Sequence, residues 1–298
     1  MSNYRKAQRS FWVSVCCLGL SSLALAGDRL DQILEKNEIV IAHREASVPL
    51  SYLDNGKPIG YSLDICHAVV ESLKKQYKRP NLTIRYLVVT SQTRIPAIAE
   101  GKADLECGST TNTAERRQKV DFTIPHFIST AKFLVRKADR IQKIEDLRGK
   151  TVVSTQGTTN IKTLHKQNDE RVLNLNILES KDHAEGFRFL VEKKVDAFAM
   201  DDILLYGLRA SAANPDDYEV IGKPMTIEPY AIMLPKNQKR LKAVVDGEIA
   251  RMITSFEIYT LYKKWFESPI PPRGINLNVP MSFLLRDSFK FPTDKVND

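Results

Sequence analysis

The feature that most constrains the fold is an alternation of short apolar, β-branched runs with amphipathic helical segments along most of the chain. Residues 38–42 (EIVIA) predict a buried strand, residues 61–75 a helix, and residues 82–89 (LTIRYLVV) a second strand. Strand, helix and strand in that order favour a right-handed βαβ unit with a parallel sheet. The organisation repeats in the second half, so the sequence predicts two α/β lobes with a cleft between them.

The remaining elements are predicted from the same periodicities and from the residues at helix ends. The predicted helices lie at residues 28–36, 93–100 (beginning near Pro96), 113–117, 144–148, 160–167, 184–192, 241–255 and 258–266. The predicted strands lie at residues 103–105, 149–153, 172–178, 195–200 and 230–234. The proline-rich tail from Pro269 is expected to be irregular and to pack on the first half.

Residues 90–122 collect hydrogen-bond donors between short apolar runs, with Arg94, Arg116, Arg117 and many hydroxyls. A guanidinium matches the two oxygens of a carboxylate, and hydroxyls can satisfy the remaining lone pairs. The hydroxyl-rich loop at residues 108–111 precedes a helical turn, whose amino terminus also favours an anion. For that loop alone, a simple N-cap beside surface charges is the plainer alternative. Taken together, the stretch predicts a pocket for a small anionic ligand.

The amino terminus has the pattern of an export signal. A basic segment leads into the apolar run at residues 11–26, which ends in the small-x-small pattern Ala24-Leu25-Ala26. A membrane anchor is the weaker alternative, because the run falls short of the roughly 20 apolar residues that span a bilayer. We therefore expect residues 1–26 to be a cleaved signal peptide and the mature chain to begin at Gly27.

Two cysteines, Cys66 and Cys107, remain in the expected mature chain. An exported protein in an oxidising compartment can pair them, but an isolated buried thiol is also common. Pairing further requires that their Cα atoms come close enough. The sequence leaves both possibilities open.

Composition and motifs exclude several classes of function. The formal net charge is +8, but the basic residues are scattered along the chain and mostly alternate with acidic ones. The clustered basic surface of a nucleic-acid-binding protein is therefore not predicted. The sequence has no P-loop, no zinc-type spacing of Cys and His, and no G-x-S-x-G elbow. We therefore expect no cofactor, no metal site and no nucleic-acid partner.

Several runs spread over the mature chain resemble one family. They are SQTRIPAI, ECGSTTNTAERRQ, GTTNIKTL, KDHAEGFR, AFAMDDILL, IGKPMTIEPYAIML and WFESPIPP. In this order they are similar to the family 3 extracellular solute-binding proteins of bacterial ABC uptake systems, and within that family to its acidic-amino-acid branch. The resemblance implies the α/β fold of a type II two-lobe periplasmic binding protein. Each lobe would be a mixed, mostly parallel sheet flanked by helices, and two crossover strands would join the lobes.

The same resemblance implies the domain organisation. Lobe 1 is expected to comprise residues 27–130 and 227–298, and lobe 2 residues 131–226. Closure is expected about the crossover strands near residues 129–132 and 223–227.

The resemblance also implies which residues hold the two charged groups on the ligand's α-carbon. Arg116 is expected to clamp the α-carboxylate, Ser109 and Thr111 to supply donors from the preceding loop, and Thr159 to close over the same group from the other lobe. Asp201 is expected to accept the α-ammonium. Its plainer alternative is to cap the helix that follows it.

In the acidic branch, a second set of residues resembles the group that meets the side-chain carboxylate. This set is Arg44, Ser91, Arg94 and His183. Taken singly, Arg44 could pair with Glu45, Arg94 could be a solvated helix residue, and His183 could be structural. Together these cationic or potentially cationic groups favour an anion, because gathering arginines in a water-poor cleft is unfavourable without one.

The resemblance therefore implies a periplasmic, monomeric binding protein. It would capture L-glutamate or L-aspartate by lobe closure and deliver it to the permease subunits of an ABC transporter, with no catalytic residue. A different class remains open, because the same fold hosts enzymes similar to cyclohexadienyl dehydratase as well as ligand-sensing modules. An enzyme would use a general acid or base in the cleft, for which His183 and Glu106 are the candidates.

Overall fold

The computed structural model describes residues 28–295, and the predicted signal peptide lies outside these residues. The helices are α1 Arg29–Lys36, α2 Tyr61–Gln76, α3 Arg94–Ala99, α4 Ala114–Arg117, α5 Thr159–Glu170, α6 His183–Val191, α7 Asp202–Ser211, α8 Lys239–Thr254, α9 Glu257–Phe266 and α10 Phe283–Ser288. Short 3-10 turns lie at Lys137–Asp139, Ile144–Leu147 and Pro215–Asp217. No helix within residues 28–295 combines the length and the apolar character needed to cross a membrane.

The strands form two large sheets and two small ones. They are β1 Glu38–His43, β2 Ala46–Ser47, β3 Ser51–Asp54, β4 Lys57–Ile59, β5 Thr83–Val88, β6 Leu105–Glu106, β7 Val120–Phe122, β8 Phe127–Arg136, β9 Thr151–Thr155, β10 Asn176–Ser180, β11 Ala197–Asp201, β12 Tyr218–Ile221, β13 Ile227–Tyr230, β14 Met233–Pro235, β15 Pro269–Ile270 and β16 Ile275–Asn276. The small sheets are the meander β2-β3-β4 and the pair β15-β16.

The first lobe is built on a five-stranded sheet with the order β5-β1-β6-β14-β7. Its β1 pairs in parallel with both β5 and β6, which confirms the predicted parallel β-α-β arrangement. Helix α2 connects β1 to β5 through the small meander and buries the apolar face that the sequence predicted. The carboxyl ends of β1 and β6 therefore point to the same edge, where ligands bind in open α/β sheets.

The second lobe is built on the sheet order β10-β9-β11-β8-β12. Strand β9 pairs in parallel with β10 and β11, whereas β8 runs antiparallel to β11 and β12. The predicted two-lobe α/β fold is therefore present. Its sheets are mixed and mostly parallel, as predicted, because one strand of the five in each order runs against the other four: β14 in the first lobe and β8 in this lobe.

The two lobes share a pair of crossover strands. Strand β13 runs antiparallel to the first part of β8, with Ile227 opposite Thr130 and Tyr230 opposite Phe127. Ser129 and Thr130 are held by the Asp202 carboxylate, with Oγ to Oδ1 at 2.7 Å for Ser129. The chain therefore passes between the lobes twice at one place, beside the start of α7.

A disulfide joins Cys66 of α2 to Cys107, whose Cα atoms lie 6.4 Å apart. Both residues are fully buried in the first lobe. The bond resolves the alternative that the sequence left open. It also anchors the chain at the end of β6, directly before the hydroxyl-rich loop.

Several element predictions were wrong in detail. The strand expected at residues 172–178 is β10, further along, because Val172 and Asn174 have left-handed φ values of 50° and 53° that extended strands do not adopt. The strand expected at residues 230–234 is split into β13 and β14, which belong to different sheets. Helix α3 begins at Arg94 rather than near Pro96.

The carboxyl-terminal tail is more ordered than the sequence indicated. It contains α10 and the pair β15-β16, and its packing is not confined to the first lobe. Tyr52 donates to the carbonyl of Pro271 at 2.7 Å, as expected for a tail on the first half. However, Arg273 also donates to the carbonyls of Ser211 and Ala212 at the end of α7 in the second lobe.

Candidate functional site

A small cavity lies between the lobes, at the carboxyl ends of the central strands. It is lined by Ser91, Arg94, Ser109, Thr111, Thr158, Thr159, His183, Met200, Asp201 and Leu204. A larger cleft of about 780 Å³ adjoins it and shares Thr111, Thr158 and Thr159 with it. The cavity walls are mainly polar, so they suit a small, charged ligand rather than an apolar one.

The first lobe supplies the loop after β6 and the start of α3. Arg94 is buried and donates from Nη1 to the Ser109 carbonyl at 3.0 Å. The Arg94 Nε and the Ser91 Oγ are buried and have no hydrogen-bond partner within residues 28–295. Because buried polar groups are almost always paired, these two unpaired groups are candidates for hydrogen bonds to a ligand.

Arg116 lies at the junction of the two lobes. The side chain of Thr113 caps the short helix α4 and so places Arg116 beside the hydroxyl-rich loop. Arg116 donates from Nη1 to the Thr111 carbonyl at 2.9 Å and from Nη2 to the Gly157 carbonyl at 3.2 Å. Thr111 belongs to the first lobe and Gly157 to the second, so this guanidinium contacts both walls of the cleft.

Arg44 and His183 meet across the cleft, with 3.4 Å between Arg44 Nη2 and His183 Nε2. Since a guanidinium can only donate, this contact requires Nε2 to accept, and the proton then lies on Nδ1, 3.0 Å from the Thr155 hydroxyl. Burial, with the nearby Arg44 and Arg94 charges, lowers the pKa of His183 well below its usual value. His183 is therefore neutral here. Its contact with Arg44 accounts for the position of the Arg44 side chain without the alternative pairing of Arg44 with Glu45.

Asp201 ends β11 at the helix start, but its side chain does not cap α7. Its Oδ1 accepts from the Asn160 amide at 2.9 Å, and its Oδ2 accepts from the Tyr230 hydroxyl. Burial and then the nearby Glu228 charge raise the pKa of Asp201 to about 7. A buried carboxylate held in this way is suited to a cationic group, which would restore its ionised form.

Two further buried carboxylates lie beside the site. Glu228, in β13, accepts hydrogen bonds from Thr111 at 2.7 Å and Thr159 at 2.8 Å. Glu106 accepts from the Thr110 hydroxyl at 2.6 Å and is an electrostatic neighbour of the buried arginines. Sequence reasoning missed Glu228 and named Glu106 only as a possible acid or base. The available indication for Glu228 was an acid inside an apolar strand, in the run MTIEPYAIML.

The arginines give the site its dominant electrostatic character. Burial and the neighbouring Arg94 charge lower the pKa of Arg44 to about 9 and that of Arg116 to about 10, and burial lowers the pKa of Arg94 as well. Lowered pKa values mean that the charged forms are destabilised by loss of water and by mutual repulsion. An anionic ligand would relieve both effects.

The structure brings all nine predicted site residues into one region. Seven of them line the cavity: Ser91, Arg94, Ser109, Thr111, Thr159, His183 and Asp201. Arg44 and Arg116 lie directly beside it, in contact with His183 and Thr111. Within residues 28–295, no group of three or more His, Cys, Asp or Glu side chains is arranged to hold a metal ion.

Known proteins share this architecture. The family model of bacterial extracellular solute-binding proteins, family 3, matches residues 39–268. The L-glutamate/L-aspartate-binding protein of Pseudomonas aeruginosa is 46% identical over 269 residues, which cover 90% of this chain and 89% of that protein. The glutamate/aspartate import solute-binding protein of Salmonella typhimurium is 44% identical over 272 residues, or 91% of this chain and 90% of the relative.

A solved structure agrees with these sequence matches. The solute receptor for L-cysteine of Neisseria gonorrhoeae superposes with a TM-score of 0.70 at 26% identity, covering 79% of this chain and 92% of the receptor. The family match extends from β1 to the end of α9 and so includes both lobes and every predicted site residue. This chain belongs to the bacterial extracellular solute-binding proteins, family 3.

Proposed function

We propose that this protein is the periplasmic binding component of an ABC importer that captures L-glutamate or L-aspartate. The observation that carries the proposal is the charge pattern of the cavity, with buried Arg44, Arg94 and Arg116 around it and the carboxylate of Asp201 in its wall. A dicarboxylic amino acid has two anionic groups and one cationic group, which is the complement of this pattern. The names of the relatives at 44–46% identity agree with this ligand class.

The two groups on the ligand's α-carbon are held where the lobes meet. Arg116 binds the α-carboxylate with its guanidinium fork, assisted by the loop residues Ser109 and Thr111 and by Thr159 from the other lobe. Asp201 binds the α-ammonium. Support for these roles is the contact of Arg116 with both walls of the cleft and the place of Asp201 in the cavity wall.

The side-chain carboxylate is held at the opposite end of the cavity. Arg94 and Ser91 bind it through the donors that lack a partner within residues 28–295. Arg44 lies beside the cavity, in contact with His183, and adds its positive charge. His183 holds Arg44 in place through Nε2 and, being neutral, adds no charge to the site. A neutral amino acid would leave these buried cations uncompensated, which disfavours it by several kcal/mol, as for buried charges generally.

Binding is coupled to closure of the two lobes. Lobe 1 comprises residues 27–130 and 227–298, lobe 2 comprises residues 131–226, and residues 1–26 are a leader that is removed on export. The hinge lies in the paired crossover strands β8 and β13, through which the chain passes between the lobes. The closed monomer then presents a surface that the permease subunits at the inner membrane recognise, so the ligand is passed on chemically unchanged.

Binding is favoured over catalysis by the state of the candidate acid and base. His183 is neutral, buried and engaged at both ring nitrogens, so it has no free site for proton transfer. Glu106 does not line the cavity, and its charge compensates the buried Arg44 and Arg94 instead. Recovery of L-glutamate unchanged after prolonged incubation with the protein supports this view, and a new product in the mass spectrum overturns it.

The ligand is tested with the mature chain, residues 27–298, in a thermal-shift screen of the amino acids followed by calorimetry. A ligand at 100 times its Kd stabilises the fold by about 2.7 kcal/mol, which is readily detected. We expect shifts with L-glutamate or L-aspartate alone. Shifts with neutral or basic amino acids alone would overturn the ligand assignment and leave the family intact.

A further inference from the structure

Glu228 joins the two lobes through a single carboxylate. Its Oε2 accepts one hydrogen bond from Thr111 of the first lobe at 2.7 Å and one from Thr159 of the second lobe at 2.8 Å. Its Oε1 accepts from Thr226 at 2.5 Å. Glu228 is only 2% exposed, so these hydroxyls replace its water.

The position of Glu228 relative to Thr111 is set by the backbone. Thr111 forms an isolated antiparallel bridge with Tyr230, and Asn112 donates its N–H to the carbonyl of Pro229 at 2.8 Å. The loop after β6 is therefore paired with the end of β13, which places Glu228 against Thr111. The contact with Thr159, in contrast, exists only while the second lobe lies against the first.

The direction of these hydrogen bonds determines what the threonines can offer a ligand. An ionised carboxylate only accepts, and a hydroxyl has one proton. Thr111 and Thr159 both give that proton to Glu228, so the remaining capacity of each oxygen is to accept. Side chains that only accept are unsuited to a ligand carboxylate and suited to an ammonium, which has three protons to donate.

The other acceptor of the cavity is already partly occupied. Each oxygen of Asp201 accepts a hydrogen bond from the protein, one from Asn160 and one from Tyr230. An α-ammonium that binds Asp201 therefore needs further acceptors for its remaining protons. Thr111, Thr159 and Asp201 all line the same cavity.

We propose that Glu228 is a positioning residue that turns the Thr111 and Thr159 hydroxyl oxygens towards the ligand's α-ammonium. This inference rests on the proposed function and refines it. The two threonines then meet the α-carboxylate with their backbone, and Arg116 remains its side-chain partner. Specificity for an amino acid over a plain dicarboxylic acid arises from three oxygens rather than from Asp201 alone.

A different role for the same contact has the opposite consequence. If Glu228 were an internal competitor, occupying hydroxyls that the ligand carboxylate needs, its removal would strengthen binding. If Glu228 only supported the fold, its removal would weaken all ligands by a similar factor. The three roles therefore differ in the sign and in the ligand dependence of one substitution.

The test measures Glu228→Met, which removes both acceptor oxygens from a side chain of similar length, by calorimetry against two matched pairs of ligands. The pairs are L-glutamate with glutarate and L-aspartate with succinate, where the second member lacks only the ammonium group. We expect the affinity for the preferred amino acid to fall tenfold or more, and the affinity for its ammonium-free partner to change by less than about threefold. The control is Glu248→Met, the same substitution at a mostly buried glutamate of α8, for which neither affinity changes.

The alternative results have separate meanings. If both members of a pair lost affinity equally, or if the amino acid gained affinity, the proposed role of Glu228 would be overturned and the ligand class would stand. If the wild-type protein binds neither amino acid, the proposed function and this inference both fail. Should Glu228→Met not fold, Thr159→Val at the half-exposed end of the contact replaces it, with the same selective loss of affinity for the amino acid expected.

Discussion

Gly157 lies against the backbone of Gln92 across the cleft: a Cβ atom added to Gly157 would come within 2.7 Å of the Gln92 Cα and 2.8 Å of its nitrogen. Gly157 precedes α5 in the second lobe, and Gln92 precedes α3 in the first. The Gly157 carbonyl also accepts from Arg116. The approach of the two lobes at this rim therefore requires a residue without a side chain.

We expect Gly157→Ala to weaken amino-acid binding tenfold or more, because the added methyl group prevents the lobes from reaching this distance. The matched control is Gly149→Ala, in the same lobe. Both glycines have left-handed φ values, 73° at Gly157 and 72° at Gly149, but a Cβ at Gly149 meets nothing within 4 Å. Both variants should lose about 1 kcal/mol of stability from backbone strain, and calorimetry should detect a loss of affinity in Gly157→Ala alone. Equal affinities in the two variants would contradict the role of this contact in closure.

Removal of one ligand-facing arginine is expected to weaken binding strongly. Arg94→Ala should lose roughly 2 to 5 kcal/mol of binding free energy for a dicarboxylic amino acid, as when one partner of a buried charge pair is truncated. The control is Arg85→Ala, which removes an exposed arginine from β5 that pairs with Glu38. Titration calorimetry should show almost no change for the control. Unchanged affinity in Arg94→Ala would exclude Arg94 from the site.

The disulfide between Cys66 and Cys107 is expected to stabilise the first lobe. It closes a segment with a sequence separation of 41, and such cross-links typically contribute about 2 to 4 kcal/mol. Urea unfolding with and without a reductant should show this difference in the wild-type chain. A Cys66→Ala/Cys107→Ala variant should have the same unfolding midpoint as the reduced wild type, and the reductant should not change that midpoint. An identical unfolding midpoint for all four samples would contradict the prediction.

The sequence predicted the parts of the fold that depend on local pattern. Helix α2 was predicted within a residue or two, because its apolar residues recur at helical spacing and face a single core. Strand β10 was misplaced, because the apolar residue Val172 belongs to a left-handed turn, a conformation that apolarity and β-branching disfavour rather than indicate. Local pattern could not identify this turn.

The residues of the candidate site were likewise predictable only where a local motif marks them. Residues in recognisable motifs, such as Arg116 and Asp201, were predicted through the resemblance to a family, and in the structure Asp201 lines the cavity while Arg116 lies directly beside it. Glu228 was missed because its importance lies in contacts with Thr111 and Thr159, which are far away in sequence and belong to different lobes. The pairing of β13 with the loop after β6 places Glu228 against Thr111, and the approach of the two lobes adds Thr159.

The pH dependence of binding is expected to follow Asp201. Burial and the Glu228 charge raise its pKa to about 7, while Asn160 and Tyr230 favour its ionised form and Asp202 opposes it. The buried His183 has its pKa lowered well below its usual value, and Arg44 has a pKa of about 9. Between pH 6 and pH 8, Asp201 is therefore the member of the predicted ligand set that changes charge.

An ammonium binds the ionised form of Asp201, so protonation of the free site must compete with the ligand. We expect the affinity for the amino acid to be constant above about pH 7 and to fall towards tenfold for each pH unit below it. Calorimetry from pH 5.5 to pH 8 measures this profile, with Asp201→Asn as the control. That variant should bind weakly and without pH dependence in this range, because an amide does not titrate. A pH-independent affinity in the wild-type protein, or an Asp201→Asn variant that retains the same slope, would remove Asp201 as the acceptor of the ammonium.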